Sequence, residues 1–468
     1  MQTLTALPGP SAFETRGKWE RDLLRKVSGV PLIARTLVTA TRNGASSLLV
    51  LLPPGYTEAE LSRHLEAFRS KMAPLEVVPL EKPFDPNCAA DWEAIRGRLE
   101  PFFLWLPWNC VSDKRRLSRL TQASQRTSRG ARFDWPRGNG QERAEERAAP
   151  APAVDEMPLV LEKASLYQRA RAEKSGGPVL ENHIVQDKLE PIPLRSAPGI
   201  VVRTAEDVSR AEKDLVRWSG KDWDGVYSQF NRRLCRPVVR WLSKTPVTPN
   251  QVTLSGLLFV LLSGYAFAQG YHAAYALGGL LYFLSVQFDE IDGMLARVTF
   301  RDSPFGCWLE HFADSASYVV LYIGITIGLY RESGPFWLAV GGVLMTSMLL
   351  SILVVGYQRT LVAEADKPEQ YLIRLYNNLE KESHSRVWRW AREAQFVMKK
   401  AVFAHHVLWF SVLGIIKVHY LISTLGAVLI WTLALYYNRL FRAQKKQAAM
   451  LLPSTGRALP ANQMEGDS

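Results

Sequence analysis

Five carboxylates sit where apolar sequence would be expected. Asp289, Glu290 and Asp292 close one hydrophobic run, and Glu310 and Asp314 open the next. An uncompensated acid at membrane depth costs on the order of 2.5 to 3.5 kcal/mol on insertion scales, so such groups need cations, protons or a water-filled cavity. On a helix, Asp289, Asp292, Gly293, Ala296 and Arg297 fall three or four residues apart and share one face; Gly306, Glu310 and Asp314 do the same on the next helix. Two acidic faces can then meet across a polar hairpin turn. Clustered oxygens without histidine or thiol partners suit a hard divalent cation, Mg2+ or Mn2+, which prefers carboxylates together with substrate phosphates. Phosphate chemistry is the expected use. The small Gly293, Ala296 and Gly306 let a flat ligand approach the helix backbones, and Arg297 can neutralise a phosphate. An ion or proton transporter would instead disperse its acids along a path.

The elements that must position these residues are membrane-length stretches, read at approximately 251–269, 272–293, 308–330, 335–357, 401–417 and 419–440. Before them, residues 225–244 place Phe230, Leu234, Val238 and Trp241 on one face of a helix, with Arg232, Arg233, Arg236 and Arg240 elsewhere. That pattern predicts a basic amphipathic helix lying in the interface. Lys and Arg crowd the segment before the first span, the second-to-third connection, the 358–400 loop and the tail (Arg439, Arg442, Lys445, Lys446), whereas the opposite loops carry mainly Arg331 and Lys417. Both termini are therefore expected on the cytoplasmic side, in the cytoplasmic membrane if the source is bacterial.

The 468 residues carry 57 Lys+Arg against 45 Asp+Glu, a formal charge of +12. At roughly 150 residues per domain, two or three domains are expected. The basic excess fits loops facing anionic headgroups; no groove-reading motif or aromatic platform points to nucleic acid, which is excluded as a partner. Cys88, Cys110, Cys235 and Cys307 are far apart, without CxxC or Cys/His spacing, so neither a disulfide framework nor a zinc site is supported. The opening MQTLTALPGPSAFETRGKWERDLL lacks a basic flank followed by an apolar run, so no signal peptide is expected and the first domain should stay on the side of synthesis.

That first domain, residues 1–215, alternates helices with short buried strands. A helix-period stretch breaks at Asn43-Gly44 and is followed by the β-rich run Leu48 to Leu52; a polar helix, Ala89 to Leu99, precedes a second apolar run, Phe102 to Pro107. This predicts a soluble α/β layer fold. Residues 137–155 are charged and Pro/Ala-rich and read as a mobile loop. A strand is expected at Pro198 to Val202, then a helix from Thr204 to Trp218 with Thr204 as cap and Asp207 at its third position. An interfacial region (216–248), a six-span domain (249–445) and a disordered tail (446–468) complete the expected organisation.

The acidic pattern, Asp289-x-x-Asp292-Gly293-x-x-Ala296-Arg297, eight residues, then Gly306-x-x-x-Glu310-x-x-x-Asp314, resembles the signature of the CDP-alcohol phosphotransferases, DxxDGxxAR(x8)GxxxDxxxD. Thr248-Pro249-Asn250-Gln251-Val252-Thr253 is similar to the family's PNxxT segment, and the resemblance covers roughly residues 216–445. It implies six spans, cytosolic termini, an interfacial helix and a homodimer. Carried over by position, it implies that Asp289, Asp292 and Glu310 ligate a two-metal centre of Mg2+ or Mn2+, with Asp314 as a further ligand and as the base that deprotonates the acceptor hydroxyl. Gly293, Ala296, Arg297, Gly306, Asn250 and Thr253 would line the CDP pocket, and Arg359 is a candidate for an anionic acceptor. A hydroxyl acceptor would then attack the β-phosphate of a CDP-alcohol, with release of CMP, in phospholipid-type synthesis. One departure stands out: the family's third aspartate is Glu310 here, one methylene longer. The alternative reading is therefore a catalytically silent membrane scaffold of the same fold. The acceptor is not readable from spacing.

A second resemblance concerns the first domain. LRKVSGVPLIARTLVTATRNGASSLLVLLP looks like the part of a sugar-phosphate nucleotidyltransferase that follows its first loop, and VVRTAEDVSRAEKDL resembles the end of such domains. ALPGPSAFETRG lacks the GxGxR spacing for wrapping phosphates, and no Asp stands near Leu104 to Asn109. A non-catalytic nucleotidyltransferase-like domain is expected, one that docks partners or supports a dimer.

Overall fold

In the computed structural model, residues 1–7, 25–127, 129–134, 158–172, 178–186, 189–193, 199–220, 225–362 and 400–451 are described. The chain forms two compact units: Met1–Asp222 with Arg236–Val247 and Met294–Arg301, and Trp223–Cys235 with Thr248–Gly293 and Asp302–Ser468.

The first unit is built on strands β1 (Gln2–Ala6), β2 (Lys26–Val27), β3 (Val30–Pro31), β4 (Leu48–Leu52), β5 (Leu75–Pro79), β6 (Phe102–Trp105), β7 (Cys110–Ser112), β8 (Ala131–Asp134), β9 (Leu159–Glu162), β10 (Glu190–Pro193) and β11 (Gly199–Val201). Its helices are α1 (Leu32–Arg42), α2 (Glu58–Leu65), α3 (Ala89–Ile95), α4 (Lys114–Thr127), α5 (Lys163–Ala172), α6 (Val179–Gln186) and α7 (Ala205–Trp218). The main sheet runs β10-β8-β9-β6-β1-β4-β5. β6, β1, β4 and β5 are parallel, with Thr3 opposite Leu48 and Leu48 opposite Leu75; β9 runs antiparallel to both β6 and β8. The unbroken Leu-Leu-Val-Leu-Leu of β4 is what a strand covered on both faces requires. Leu48, Val50 and Leu52 enter one apolar core, while Leu49 and Leu51 enter the other with Trp92, Phe103 and Trp105.

The expected α/β layer fold is therefore present. The box at the start of α7 is also as read: Thr204 Oγ1 accepts from Asp207 N at 3.2 Å, and Asp207 Oδ2 accepts from Thr204 N at 2.9 Å. Burial pushes the Asp207 carboxyl up, but the bonds from Thr204 and Arg203 outweigh it and hold the group below its ordinary value.

Helix α8 (Val226–Leu242) carries the basic amphipathic stretch, and Phe230, Leu234, Val238 and Trp241 form its exposed apolar stripe. Its cations are not all turned toward solvent. In the first unit, Arg240 and Lys244 reach Glu212 of α7 at 3.4 and 2.7 Å. In the second, Arg232 Nε donates to Glu290 Oε2 at 2.9 Å, with side chains only 8% and 13% exposed.

The second unit holds most of α9 (Pro249–Ala268), α10 (His272–Thr299), α11 (Pro304–Ser333), α12 (Phe336–Val362), α13 (Lys400–Val412) and α14 (Ile416–Leu451). Each stretch read as membrane-length is thus occupied by a helix. Among the described residues, three of them are long and apolar enough to cross a membrane: Pro249–Ala268, Pro304–Ser333 and Phe336–Val354. α10 loses apolar length to Asp289, Glu290, Asp292 and Arg297. The expected 401–417 stretch is interrupted at Gly414, whose φ of 73° ends α13 and redirects the chain into α14. The final helix continues to Leu451, through the first residues of the segment expected to be a disordered tail. The readings placed on 137–155, on most of 358–400 and on 452–468 lie outside the described residues.

α9 and α11 are packed backbone to backbone. A Cβ on Gly324 would lie 2.4 Å from the Gly264 carbonyl oxygen, and one on Gly328 would lie 2.1 Å from that of Phe267. Small residues permit this approach, which larger ones would block. Gly324→Leu is expected to cost at least the roughly 1–3 kcal/mol of an overpacked core, seen as a lower thermal midpoint of the detergent-solubilised protein; an unchanged midpoint would contradict the packing.

Candidate functional site

The acids come together because two helices present them at helical repeat. Asp289 and Asp292 lie one turn apart on α10 and Glu310 lies in the second turn of α11; carboxylate oxygens of all three fall within 4.8 Å of one another. Asp292 is buried, 3% exposed, while Asp289 and Glu310 are partly open. Three converging carboxylates without nitrogen or sulfur donors form a set suited to a hard divalent cation. The extra methylene of Glu310 does not keep its carboxylate from the other two.

Thr253, on α9, donates its hydroxyl to Asp292 Oδ2 at 2.5 Å, and the same oxygen lies 3.2 Å from the Pro249 carbonyl of its own helix. α9 begins with a capping box, Thr248 with Gln251, and Pro249 at its first turn. That start fixes Asn250 against Gly306: a Cβ on Gly306 would meet Asn250 Oδ1 at 2.8 Å and Ser303 Oγ at 3.1 Å. The Ser303 hydroxyl accepts from Gly306 N at 3.0 Å and caps α11. Glycine at 306 therefore leaves room for both the cap and the Asn250 side chain.

Asp314, one turn beyond Glu310, stands outside the three-carboxylate group. It forms an ion pair with Lys400 at the start of α13, and the same ammonium lies 3.0 Å from Asp289 Oδ2. Lys400 is thus the cation between two acids of the signature. Glu290, which has no place in the signature and reads as a hairpin or interface charge, is the partner of Arg232. Breaking so enclosed a pair by removing one charge costs about 3–5 kcal/mol. Glu290→Gln should therefore lower the thermal midpoint markedly, and Arg232→Met in the same chain should restore part of the loss; additive losses would deny the pairing.

Gly293 stands with these groups in the second unit, whereas Ala296 and Arg297 belong to the first, where Arg297 Nε donates to the Ser219 carbonyl at 2.8 Å. Arg359 falls within α12, but its side chain lies outside the described residues. His405 packs against the rings of Tyr227, Phe230 and Phe283 rather than joining the acids.

Apolar helices of membrane-crossing length thus accompany an acidic group whose donors suit a divalent cation. Residues 246–431 match the family described as CDP-alcohol phosphatidyltransferase, so the C-terminal region carries a domain of that family. The chain is 29% identical over 152 residues to the archaetidylinositol phosphate synthase of Pyrococcus horikoshii, covering 32% of this chain and 79% of the relative. It is 35% identical over 127 residues to cholinephosphotransferase 1 of Gallus gallus, covering 24% of this chain and only 38% of that protein. Among solved structures, 4-diphosphocytidyl-2C-methyl-D-erythritol synthase from Anaerococcus prevotii overlays 46% of this chain and 97% of its own, at 14% identity and a TM-score of 0.33.

Proposed function

We propose that the protein transfers a substituted phosphate from a CDP-alcohol to a hydroxyl acceptor and releases CMP, as a step in phospholipid-type synthesis. The observation that carries this reading is the convergence of Asp289, Asp292 and Glu310 inside the region that matches the family. Those three side chains would hold Mg2+ or Mn2+; when bound, the ions neutralise charge on the diphosphate and on the departing CMP. Asp314 takes the proton from the acceptor hydroxyl, whose oxygen bonds to the β-phosphorus as the bond from that phosphorus to the bridging oxygen breaks. The electron pair leaves with CMP. The Lys400 ammonium stands between the Asp314 and Asp289 carboxylates, paired with each. Gly293, Ala296, Arg297, Gly306, Asn250 and Thr253 are assigned to the cytidine diphosphate, and Arg359 to an anionic acceptor. The exposed stripe of α8 lies in the interface, with both termini on the cytoplasmic side of a homodimer.

The test is CMP release in nanodiscs from a panel of CDP-alcohols and acceptors, inositol phosphate and simple alcohols among them, with Mg2+, Mn2+ or chelator. Metal-dependent release is expected. Folded protein that releases no CMP across the panel would overturn the reading in favour of a silent scaffold.

A further inference from the structure

The last turn of α10 and the residues after it, Val298 to Arg301, belong to the same compact unit as the α/β domain. In sequence this segment links the two halves of the acidic signature. The final carbonyls of a helix have no partner within it and attract cations. Here the cations come from the α/β domain: Arg35 Nη2 donates to the Val298 carbonyl at 2.9 Å as well as to that of Val27 at 2.7 Å, and Lys71 Nζ donates to the Phe300 carbonyl.

Phe300 adds an independent observation. Its φ is 55°, in the left-handed region where a helix-ending residue is usually glycine, and Arg301 N bonds back to the Ala296 carbonyl at 3.2 Å to close the turn. A side chain in that conformation is strained. The ring is 7% exposed, with the Arg35 guanidinium 5.0 Å and the Arg42 guanidinium 4.6 Å from its centroid. Arg35 is itself 2% exposed; burial lowers it to about 9, against the opposing pull of Glu212, so it stays charged at neutral pH. A buried guanidinium and a strained phenylalanine thus converge on one helix end.

We propose that the α/β domain is a positioning clamp for part of the signature: Arg35, aided by Lys71 and Arg42, grips Val298 to Phe300 and thereby fixes Ala296 and Arg297. Arg35 and Phe300 are positioning residues; neither touches substrate. The inference rests on the reaction proposed above for its kinetic readout.

The test compares full-length wild type with Arg35→Met, Arg35→Lys, Phe300→Leu and Phe300→Gly in nanodiscs, by CMP-release kinetics and by hydrogen exchange over residues 296–303. Misplacing a binding group by an ångström costs up to ~100-fold, so kcat/KM is expected to fall roughly tenfold in Arg35→Met and Phe300→Leu. Exchange in the segment should rise with it. Arg35→Lys, which can still donate to carbonyls, should recover part of the loss. Phe300→Gly discriminates sharply: it relieves the backbone, so a merely structural role leaves activity intact, whereas a clamp loses it with the ring. Wild-type kcat/KM in Phe300→Leu and Phe300→Gly, or a loss in Arg35→Met that Arg35→Lys does not ease, would overturn the clamp. If Arg35→Met does not fold, the two Phe300 variants decide. Inactivity of the wild type would overturn the proposed reaction instead, and the variants are then scored by CMP affinity: roughly tenfold weaker binding supports the clamp and equal binding overturns it.

Discussion

Asp314→Asn is expected to lower the turnover number for CMP release by ~100- to 10,000-fold, the usual contribution of a general base. The substitution keeps the size of the side chain and one acceptor oxygen but removes the negative charge that receives the proton. Lys400 loses one of its two acidic partners and keeps Asp289, so the local fold should persist. The group formed by Asp289, Asp292 and Glu310 is untouched. Mn2+ binding, followed by the paramagnetic resonance of free ion, should therefore remain near the wild-type level while turnover collapses. A loss of Mn2+ binding as large as the loss of turnover would instead make Asp314 chiefly a ligand, and retained turnover would remove it from the reaction.

Much of this arrangement was legible because the signals are local. Asp289, Asp292, Glu310 and Asp314 repeat at helical spacing within apolar runs, where their cost demands a purpose. The uninterrupted Leu48 to Leu52 can only be a strand or helix covered on every side, and flanking turn residues decide for the strand. Thr204 and Asp207 announce a helix start by chemistry confined to four residues.

What stayed hidden depends on residues brought together from far along the chain. Lys400 is 86 positions from Asp314, and no periodicity links them. Arg232 and Arg240 read only as lying off the apolar face of an interfacial helix, because a helical pattern records which face a residue occupies, not which acid meets it there. Phe300 carries no signal of its left-handed conformation, since the usual signal is glycine itself. Strand β9, lying beyond the segment read as a mobile loop, pairs with both β6 and β8, and pairing across such a gap leaves no mark in either sequence.

Asp292→Asn should abolish turnover together with divalent-ion binding, which distinguishes it from Asp314→Asn. Asp292 is the most enclosed of the three converging acids and has the Thr253 hydroxyl bonded to one oxygen at 2.5 Å. Its charge is thus presented in one orientation. Removing that charge leaves Asp289 and Glu310 alone to attract an ion, and Lys400, 3.0 Å from Asp289, competes for the first of them. Mn2+ titration should show saturation lost in the range that fills the wild type, with CMP release below detection. Thr253→Val then tests orientation apart from charge. Valine keeps the shape but not the donor, and loss of an outer partner of a ligating group typically costs 10- to 100-fold in metal affinity or activity. Thr253→Val should therefore fall between wild type and Asp292→Asn in both measurements. A Thr253→Val protein equal to wild type would mean that the hydroxyl does not orient Asp292, and an Asp292→Asn protein that still saturates with Mn2+ would remove the acidic group from the binding of the ion.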